Sequence, residues 1–477
     1  MAEHIHGKIN FSSLVYDYVL FAIPLCGAEE NRIIIIGAGV AGIAAAATLH
    51  EMGHSNILIL EGSSRVGGRV KEVELGEYTV ETGAQWIHGL GNNPVLDLIR
   101  QYNVSYRITD YEDFLIYDEN GTVITEKSQS VYEKFETVQT NLEKIRASML
   151  SYQTPDTTLR QVLKKSGWIP KSPLEDAVEY YDFDFEFTFS PDSISAKYGA
   201  DKPNYKVSNS TPGVDAMVND LRGYSYPFRK LLSKTLHSSS DSAILLNKVV
   251  THVHQNGNHV TVRTSDDKSY VGQYVISTVS IGVMQSRSIQ FEPSLPNWKM
   301  NRFDQFQMGV FTHMYFQFPF TFWDDKEYLI YASSRRGYYT IWVNIEKLFP
   351  NSRILQATLV GEEAKRIDRM SDEDIKNEVL SVLRNIFFKK NIVIPEPDSY
   401  VIPRWLSDPL FKGSFSNWTP GFTEDMKMTL CNPFGRLFFA GEACSKNSFG
   451  FVQGAYKSGK LTAKNLLDCM NDSCKTC

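Results

Sequence analysis

The amino-acid sequence predicts an α/β protein built from two domains. Three features support this prediction: a length of 477 residues, a strand–helix–strand unit at 31–61, and strands mixed with helices through the rest of the chain. A chain this long exceeds what one simple hydrophobic core usually serves. We therefore expect two domains that are intertwined or sequential.

The first element is the segment "NRIIIIGAGVAGIAAAATLHEMGHSNILILE" (31–61). Its four consecutive isoleucines predict a strand that is buried on both faces, as in a parallel sheet. The alanine-rich stretch after "GAGVAG" predicts a helix, and "NILIL" predicts a second strand that ends at Glu61. Together they predict a complete βαβ unit.

The glycines of this unit have the spacing of a dinucleotide-binding turn. Gly37 allows the tight turn, Gly39 lets the backbone approach a pyrophosphate, and Gly42 lets helix and strand pack closely. Glu61 lies nineteen residues after Gly42, where a carboxylate accepts hydrogen bonds from a ribose. Taken alone, this glycine spacing could also belong to a glycine-rich turn that binds no ligand. Because the predicted strand, the predicted helix and the position of Glu61 all agree, we predict dinucleotide binding. The glycine pattern does not distinguish FAD from NAD.

Later elements follow from periodicity and capping residues. The sequence predicts a helix at 172–181 capped by Ser172, strands within 243–279 joined by a turn at Asn256-Gly257, a helix at 371–387, a strand at 435–442 and a helix at 450–467.

One further predicted strand, "VFTHMYFQF" (310–318), carries a histidine among aromatic residues. Strand alternation puts Phe311, His313 and Tyr315 on one face and the apolar residues on the other. The role of His313 therefore depends on what lies across from that face.

Composition narrows the function classes. Apolar residues make up 42% of the chain, charged residues 22%, and the net charge of -6 is mild. This argues against a nucleic-acid surface and favours cationic ligands. None of the six cysteines combines zinc-ligand spacing with histidine partners, so we predict no metal site. Beyond the amino terminus nothing approaches membrane-spanning length, so we expect no integral membrane span.

The amino terminus (1–30) contains a candidate signal peptide. The apolar run "YVLFAIPLCGAEE" (18–30) resembles a secretory signal cleaved near Ala28, although Asp17 adjoins it and only Lys8 precedes it as a strong positive charge. Glycosylation acceptor sequences occur at Asn10, Asn103, Asn120, Asn209, Asn417 and Asn471. The three cysteines of the last nine residues are a disulfide candidate in a secreted protein and otherwise free thiols. We predict secretion, with a cytoplasmic location as the alternative.

Several longer motifs resemble a known family. "EGSSRVGGR" (61–69) resembles the GG motif of two-domain flavoproteins, and "GRLFFAGEA" (435–443) resembles their returning strand. Further matching motifs are "GAQWIHG" (83–89), "LNKVV" (246–250), "YASSRRGYY" (331–339), "PRWLSDPLFKGSFSNW" (403–418) and "GFVQGAYKSG" (450–459). From about residue 31 to 470 the chain resembles the flavin-containing amine oxidases, most of all the secreted-type plant polyamine oxidases.

The resemblance implies a Rossmann-type FAD-binding domain interleaved with an α+β substrate-binding domain. The FAD-binding domain would comprise 31–95, 215–290 and 400–470, the substrate-binding domain 96–214 and 291–399, and a tail 471–477. A monomer or weak dimer is expected.

The resemblance also implies site residues. FAD would be bound by Gly37, Gly39, Gly42, Glu61, Gly68, Arg69, Val250 and Glu442, with Trp86 and Trp405 near its isoalloxazine ring. Phe415 and Phe451 would grip the carbon to be oxidised, and Glu186 would line the substrate tunnel. Most other acids of "EDAVEYYDFDFEFTF" (175–189) are better explained as a solvated face. His88 would recognise the amine and accept its proton, with a purely hydrogen-bonded histidine as the alternative.

The implied reaction is oxidation of an amine C–N bond. A hydride passes from the carbon beside nitrogen to flavin N5, the imine hydrolyses to an aldehyde, and O₂ is reduced to H₂O₂. The substrate would be a polyamine of the spermine or spermidine type. The reacting nitrogen must be neutral, because an ammonium has no lone pair to assist hydride loss.

The chain departs from the family at His313, where the resemblance predicts a lysine beside flavin N5. Histidine has a reference pKa near ~6.5 instead of ~10.4, so a proton relay close to physiological pH is one expectation. Two alternatives remain: a relative recruited to an alkaloid-type amine or an amino acid, and a flavin-binding protein that has lost turnover.

Overall fold

The structure is a computed structural model that describes residues 31–199, 214–237 and 241–471. The predicted leader (1–30), the tail from residue 472 and the acceptor sites Asn10 and Asn209 lie outside these residues. None of the described helices is both long and apolar enough to cross a membrane.

The strands are numbered in chain order. They are β1 (Ile33–Ile36), β2 (Ile57–Leu60), β3 (Glu72–Leu75), β4 (Tyr78–Glu81), β5 (Trp86–Ile87), β6 (Tyr106–Ile108), β7 (Phe114–Asp118), β8 (Ala216–Val218), β9 (Ala243–Leu245), β10 (Val250–Asn256), β11 (His259–Thr264), β12 (Ser269–Gly272), β13 (Tyr274–Ser277), β14 (Gln290–Glu292), β15 (Gln307–Met308), β16 (Phe311–Gln317), β17 (Tyr328–Ala332), β18 (Ile341–Asn344), β19 (Ile354–Val360), β20 (Ser399–Val401), β21 (Ser416–Asn417) and β22 (Leu437–Phe439).

The α-helices are numbered in the same way. They are α1 (Val40–Glu51), α2 (Pro94–Gln101), α3 (Thr125–Ser151), α4 (Leu159–Lys165), α5 (Pro173–Glu179), α6 (Phe185–Phe187), α7 (Tyr226–His237), α8 (Ile281–Gln285), α9 (Asn297–Gln305), α10 (Gly361–Ile367), α11 (Asp372–Ile386), α12 (Glu424–Leu430) and α13 (Val452–Asn471).

A parallel five-stranded sheet forms the centre of the first core. Its order is β22-β13-β1-β2-β9, with every neighbouring pair parallel. The four isoleucines of β1 are at most 4% exposed, because α1 and α13 belong to the core cluster on one face and a second cluster covers the other. The predicted α/β class and the predicted doubly buried strand are confirmed.

This sheet brings distant motifs to one edge. The turn at Gly37 follows β1, Glu61 follows β2, and Glu442 comes shortly after β22. The carboxyl ends of parallel strands lie on the same side of a sheet, which is where open α/β proteins bind ligands. Glu61 and Glu442, which are far apart in the sequence, therefore lie at the same edge of the sheet.

A six-stranded sheet forms the second core, in the order β20-β16-β19-β18-β17-β7. Met314 and Phe316 of β16 pack into a cluster with α11, and Tyr315 packs on the other side in a cluster with Trp86. His313 shares the parity of Tyr315 and so lies on the Trp86 side. The strands of the two large sheets come from alternating stretches of the chain, while the domain boundaries given above remain a prediction.

Local predictions from capping and turn residues agree with the structure. Ser172 caps α5 by accepting a hydrogen bond from the Glu175 N–H, and Ser371 caps α11 in the same way. The turn at Asn256-Gly257 joins β10 to β11. The strand predicted at 435–442 is shorter, with only Leu437–Phe439 in the sheet, because Gly435 and Gly441, with φ of 57° and 135°, interrupt the extended backbone on either side.

A disulfide joins Cys431 to Cys444, with the two Cα atoms 5.6 Å apart. Cys469 is also disulfide-bonded. The sequence predicted a disulfide candidate only among the tail cysteines, so the Cys431–Cys444 bond was not predicted. The Cys431–Cys444 bond anchors the short helical turn Glu442–Cys444 to the end of α12.

Candidate active site

A cavity of about 620 Å³ runs from the glycine-rich turn to a cluster of aromatic residues. This volume is ordinary for a small-molecule site, which typically measures ~300–1,000 Å³. Its lining contains almost every residue singled out in the sequence: Gly37, Gly39, Glu61, Gly68, Arg69, Trp86, His88, Glu186, Val250, His313, Trp405, Phe415, Glu442 and Phe451. Gly42 lies outside the lining, and the roles of these residues remain predictions.

The glycine-rich turn leaves open space above the start of α1. A Cβ at Gly42 would lie 2.0 Å from the Gly37 carbonyl oxygen, so that glycine permits close packing inside the protein. Gly39 differs: its φ of -73° suits any residue, and an added Cβ would meet no protein atom closer than 3.8 Å. No protein contact requires a glycine at this position. A ligand that approaches the N-terminus of α1, as a pyrophosphate does, explains it.

Glu61 fixes this turn as well as lining the cavity. One carboxylate oxygen accepts a hydrogen bond from the Ala38 N–H at 2.6 Å, and the other accepts from the N–H and hydroxyl of Ser63. The backbone carbonyl of Glu61 accepts from the Lys248 N–H, two residues before Val250. Glu61 and Val250 thus belong to the same hydrogen-bonded corner of the cavity.

Arg69 and Glu442 form a largely buried ion pair at the middle of the cavity. Arg69 Nη1 lies 3.1 Å from Glu442 Oε1, and the same nitrogen donates to the Ser414 carbonyl at 2.8 Å. Glu442 Oε2 accepts from the Ser416 hydroxyl and from the Gly450 N–H. This network joins the two flavoprotein-like motifs and the segments that carry Phe415 and Phe451.

Aromatic side chains enclose the other end of the cavity. Trp405 donates its ring N–H to the Thr82 carbonyl at 2.9 Å, which fixes the indole. The Trp86 ring centre lies 5.5 Å from that of His313, and the Phe451 ring centre lies 4.7 Å from that of His88. Phe415 packs near Phe311. These rings make a pocket that suits an aliphatic chain and excludes water.

His88 is paired with Asp215, which the sequence analysis missed. His88 Nδ1 lies 3.0 Å from Asp215 Oδ2, and Asp215 also accepts from the Gly89 N–H and the Tyr111 hydroxyl. The two residues are 127 positions apart and no motif links them. The pair therefore becomes visible only in the fold.

The pairing sets the charge of both partners. Burial lowers the pKa of His88, but the charge of Asp215, its hydrogen bond and the charge of Glu186 outweigh burial, so the net pKa is raised above 6.5. Burial works in the opposite direction on Asp215, and His88 with the other donors outweighs it, so the pKa of Asp215 is lowered. The pair thus favours an imidazolium beside a carboxylate more than either group would alone.

The acidic stretch 175–189 divides into structural acids and one cavity acid. Basic side chains hold four of them: Lys134 holds Glu175, Arg336 holds Asp176 and Asp184, and Arg160 holds Glu179. Among the acidic residues of the stretch, Glu186 lines the cavity. The predicted solvated face is wrong for Glu179 and Asp184, which are 0% and 5% exposed and form ion pairs inside the protein.

A π-helical turn, Tyr180–Asp184, separates α5 from α6. Such a turn inserts an extra residue and rotates the helix faces that follow. Asp184, the last residue of this turn, pairs with Arg336, while Glu186, two residues later, reaches the cavity. Thr188 then ends the helix in the left-handed region, with φ of 64°.

His313 lines the cavity but does not titrate as the sequence analysis expected. Its side chain is 3% exposed, and burial lowers its pKa to about 3. The expectation of a proton relay near physiological pH is therefore not met, because no neighbouring carboxylate offsets the loss of solvent. At neutral pH His313 is uncharged.

Comparison with known proteins agrees with this geometry. The model of the family "Flavin containing amine oxidoreductase" matches residues 40–467. Polyamine oxidase 1 of Zea mays is 35% identical over 92% of this chain and 90% of its own length. Polyamine oxidases 6 and 7 of Oryza sativa subsp. japonica are each 32% identical, over 93% and 91% of this chain and 92% and 94% of their own lengths.

The residues present fit a bound flavin dinucleotide. The unhindered space at Gly39, the Glu61 corner, the Arg69–Glu442 pair and the aromatic end form one continuous lining. The family model that covers most of the chain describes flavin-containing proteins, which agrees with this lining. The chain is a member of the flavin-containing amine oxidoreductase family, an enzyme whose cofactor is FAD.

Proposed function

We propose that this enzyme oxidises a C–N bond of a polyamine of the spermine or spermidine type. The observation that carries the proposal is Glu186, a cavity-lining carboxylate near enough to His88 to raise its pKa. A carboxylate in a mostly aromatic cavity suits a ligand with an aliphatic chain and a distant ammonium group. The names of the plant relatives support the same substrate class.

Bound FAD would supply the redox chemistry, namely acceptance of a hydride from the carbon beside nitrogen and transfer of two electrons to O₂, with H₂O₂ as the product. Phe415 and Phe451 position the carbon chain, and Glu186 holds a distant ammonium. Trp86 and Trp405 exclude water from the reacting end. The imine product then hydrolyses to an aldehyde.

His88 controls the proton of the reacting nitrogen. As an imidazolium it repels an ammonium, whereas as a neutral ring it accepts the ammonium proton and frees the lone pair. Since Asp215 and Glu186 raise the pKa of His88, kcat/KM should rise with pH as His88 loses its proton.

The proposal is tested by comparing spermine with a monoamine of similar chain length. We expect peroxide formation with a kcat/KM for spermine at least tenfold higher, and Glu186→Gln should raise the KM for spermine about tenfold, which corresponds to ~1.4 kcal/mol. The KM for the monoamine should not change. Glu175→Gln is the matched control, because Lys134 holds Glu175 outside the cavity. Equal kcat/KM for both amines would reject a polyamine substrate.

The residue at position 313 favours a second candidate, a less basic or bulkier amine such as an alkaloid-type amine. A neutral imidazole stands where the family resemblance predicts a charged lysine, and the neighbouring rings of Phe311 and Phe451 carry no hydroxyl group. The cavity therefore offers fewer polar groups to a polycation. If such an amine reduces the enzyme and spermine does not, this candidate replaces the first.

We also propose that the protein is secreted. The Cys431–Cys444 bond supports an oxidising compartment, and the acceptor residues Asn103 and Asn120 are exposed whereas Asn417 is 2% exposed. Expression of the full chain in eukaryotic cells should deliver a protein to the medium that starts near Ala28 and loses mass on deglycosylation. Retention in the cytosol with Cys431 and Cys444 as free thiols would contradict secretion.

A further inference from the structure

The hydrogen bonds of His313 come from the neighbouring strand. His313 of β16 lies opposite Thr358 of β19, and Tyr315 lies opposite Gln356. Gln356 Nε2 is 2.5 Å from His313 Nδ1 and donates to the Thr358 hydroxyl at 2.9 Å. Thr358 Oγ1 is 3.3 Å from the same histidine nitrogen. Both neighbours are 0% exposed, so water does not compete for these bonds.

The direction of the Gln356 amide decides which ring nitrogen carries hydrogen. With Nε2 toward His313, both amide hydrogens are used and only the Oε1 acceptor is left without a partner. The reversed amide would turn Oε1 toward His313 and would keep that contact only with hydrogen on Nδ1. In the orientation that the structure shows, Nδ1 of His313 is an acceptor.

The remaining hydrogen must then lie on Nε2. A neutral imidazole has one donor and one acceptor nitrogen, and Gln356 with Thr358 occupies the acceptor. A second proton on Nδ1 would point at the Gln356 N–H, so the cationic form is opposed by geometry as well as by burial. His313 lines the cavity, which leaves Nε2 as the ring nitrogen available to its contents.

We propose that Gln356 and Thr358 are positioning residues that hold His313 as the neutral Nε2–H tautomer, so that it presents a fixed N–H donor to the reacting end of the cavity. This inference rests on the proposed function only in placing the reactive part of FAD at that end. His313 then retains the donor that the resemblance assigns to a lysine, without its charge. It orients an acceptor atom or a water and takes no part in proton transfer.

Titratable groups face this site from several elements. They are Tyr315 on β16, His88 after β5, Glu186 in α6 and Tyr111 after β6. Burial is the cause of the lowered pKa of His313, and these groups do not restore it. A pH dependence between 5 and 9 should therefore come from His88 and not from His313.

The first test needs no amine, and a variant serves only to assign the signal. In FAD-loaded protein with ¹⁵N-labelled histidines, the His313 ring, assigned by its loss in His313→Asn, should show hydrogen on Nε2 and constant shifts from pH 5 to 9. An Nδ1–H tautomer, or titration within that range, would overturn the proposal. Because no substrate is involved, this result does not depend on whether polyamines are oxidised.

The second test uses Gln356→Glu, whose carboxylate accepts from Nδ1–H and so inverts the tautomer. We expect hydrogen on Nδ1, a raised pKa of His313, and reoxidation of the dithionite-reduced enzyme by O₂ that changes at least tenfold and becomes pH-dependent. Gln356→Leu should remove the preference for hydrogen on Nε2 of His313 without creating a preference for Nδ1. Gln317→Glu is the matched control, since Gln317 is buried on the same sheet but bonds Ser352 and lies outside the cavity. An unchanged tautomer in Gln356→Glu, or the same kinetic change in Gln317→Glu, would assign Gln356 a packing role only.

Discussion

The Gly39→Val protein is expected to fold normally and to purify without FAD. The backbone at Gly39 is extended, and an added Cβ would meet no protein atom within 3.8 Å. The apoprotein therefore has room for the added Cβ, and we expect the γ-methyl groups to occupy the space above the start of α1. We expect FAD affinity to fall at least 100-fold, or ~2.7 kcal/mol, measured as bound FAD per chain and by titration of the apoprotein.

Gly42→Ala provides the contrast. Its Cβ would lie 2.0 Å from the Gly37 carbonyl oxygen, so it should lower the free energy of unfolding whether or not FAD is present. Wild-type FAD affinity in Gly39→Val would show that no ligand approaches the backbone there.

Asp215→Asn is expected to move the acid side of the kcat/KM profile to lower pH by more than one unit. Without the carboxylate charge, burial dominates and the pKa of His88 falls below its ordinary value. The plateau should also drop about tenfold, because the ring loses the partner that orients it. The pH dependence of kcat/KM from pH 5 to 10 measures both effects.

Asp220→Asn is the control, since Asp220 is also buried but pairs with Arg222 and does not contact His88. Its pH profile should match that of the wild type. If the kcat/KM profile of Asp215→Asn does not shift, the pKa of His88 does not determine the acid side of the pH profile.

The same pair affects stability in a definite pH window. The raised pKa of His88 stabilises the fold fully below pH 6.5, and this contribution is lost as pH rises through the folded-state pKa. The lowered pKa of Asp215 stabilises the fold above pH 3.8, and this contribution is lost as pH falls through its folded-state pKa. The stability difference between wild type and Asp215→Asn should therefore be largest between these two values and shrink at alkaline pH.

The parts of the fold that sequence predicts well are governed by local rules. Buried isoleucines, the glycine spacing after β1 and the serine caps at Ser172 and Ser371 each act within one element, and each appears as expected. The family resemblance also allowed predictions for residues far apart in the sequence, such as Arg69 and Glu442, because their motifs occur in the order that the family shows. The structure then places both in one ion pair.

The parts that escaped prediction depend on register and on long-range partners. The pairing of His88 with Asp215 requires β5, β8 and the residue before β8 to meet. The contacts of His313 with Gln356 and Thr358 depend on the register that puts Thr358 opposite it. Likewise, the ion pairs of 175–184 depend on Arg160 and Arg336, whose sequence neighbourhoods give no sign of these contacts.

The most direct measurement of the central claim is the absorbance of enzyme-bound FAD after spermine is added without oxygen. Our account predicts complete bleaching of the oxidised flavin, faster as pH rises past the pKa of His88, and recovery of the colour when air is admitted. A flavin that dithionite bleaches but that stays oxidised in saturating spermine and spermidine would contradict it.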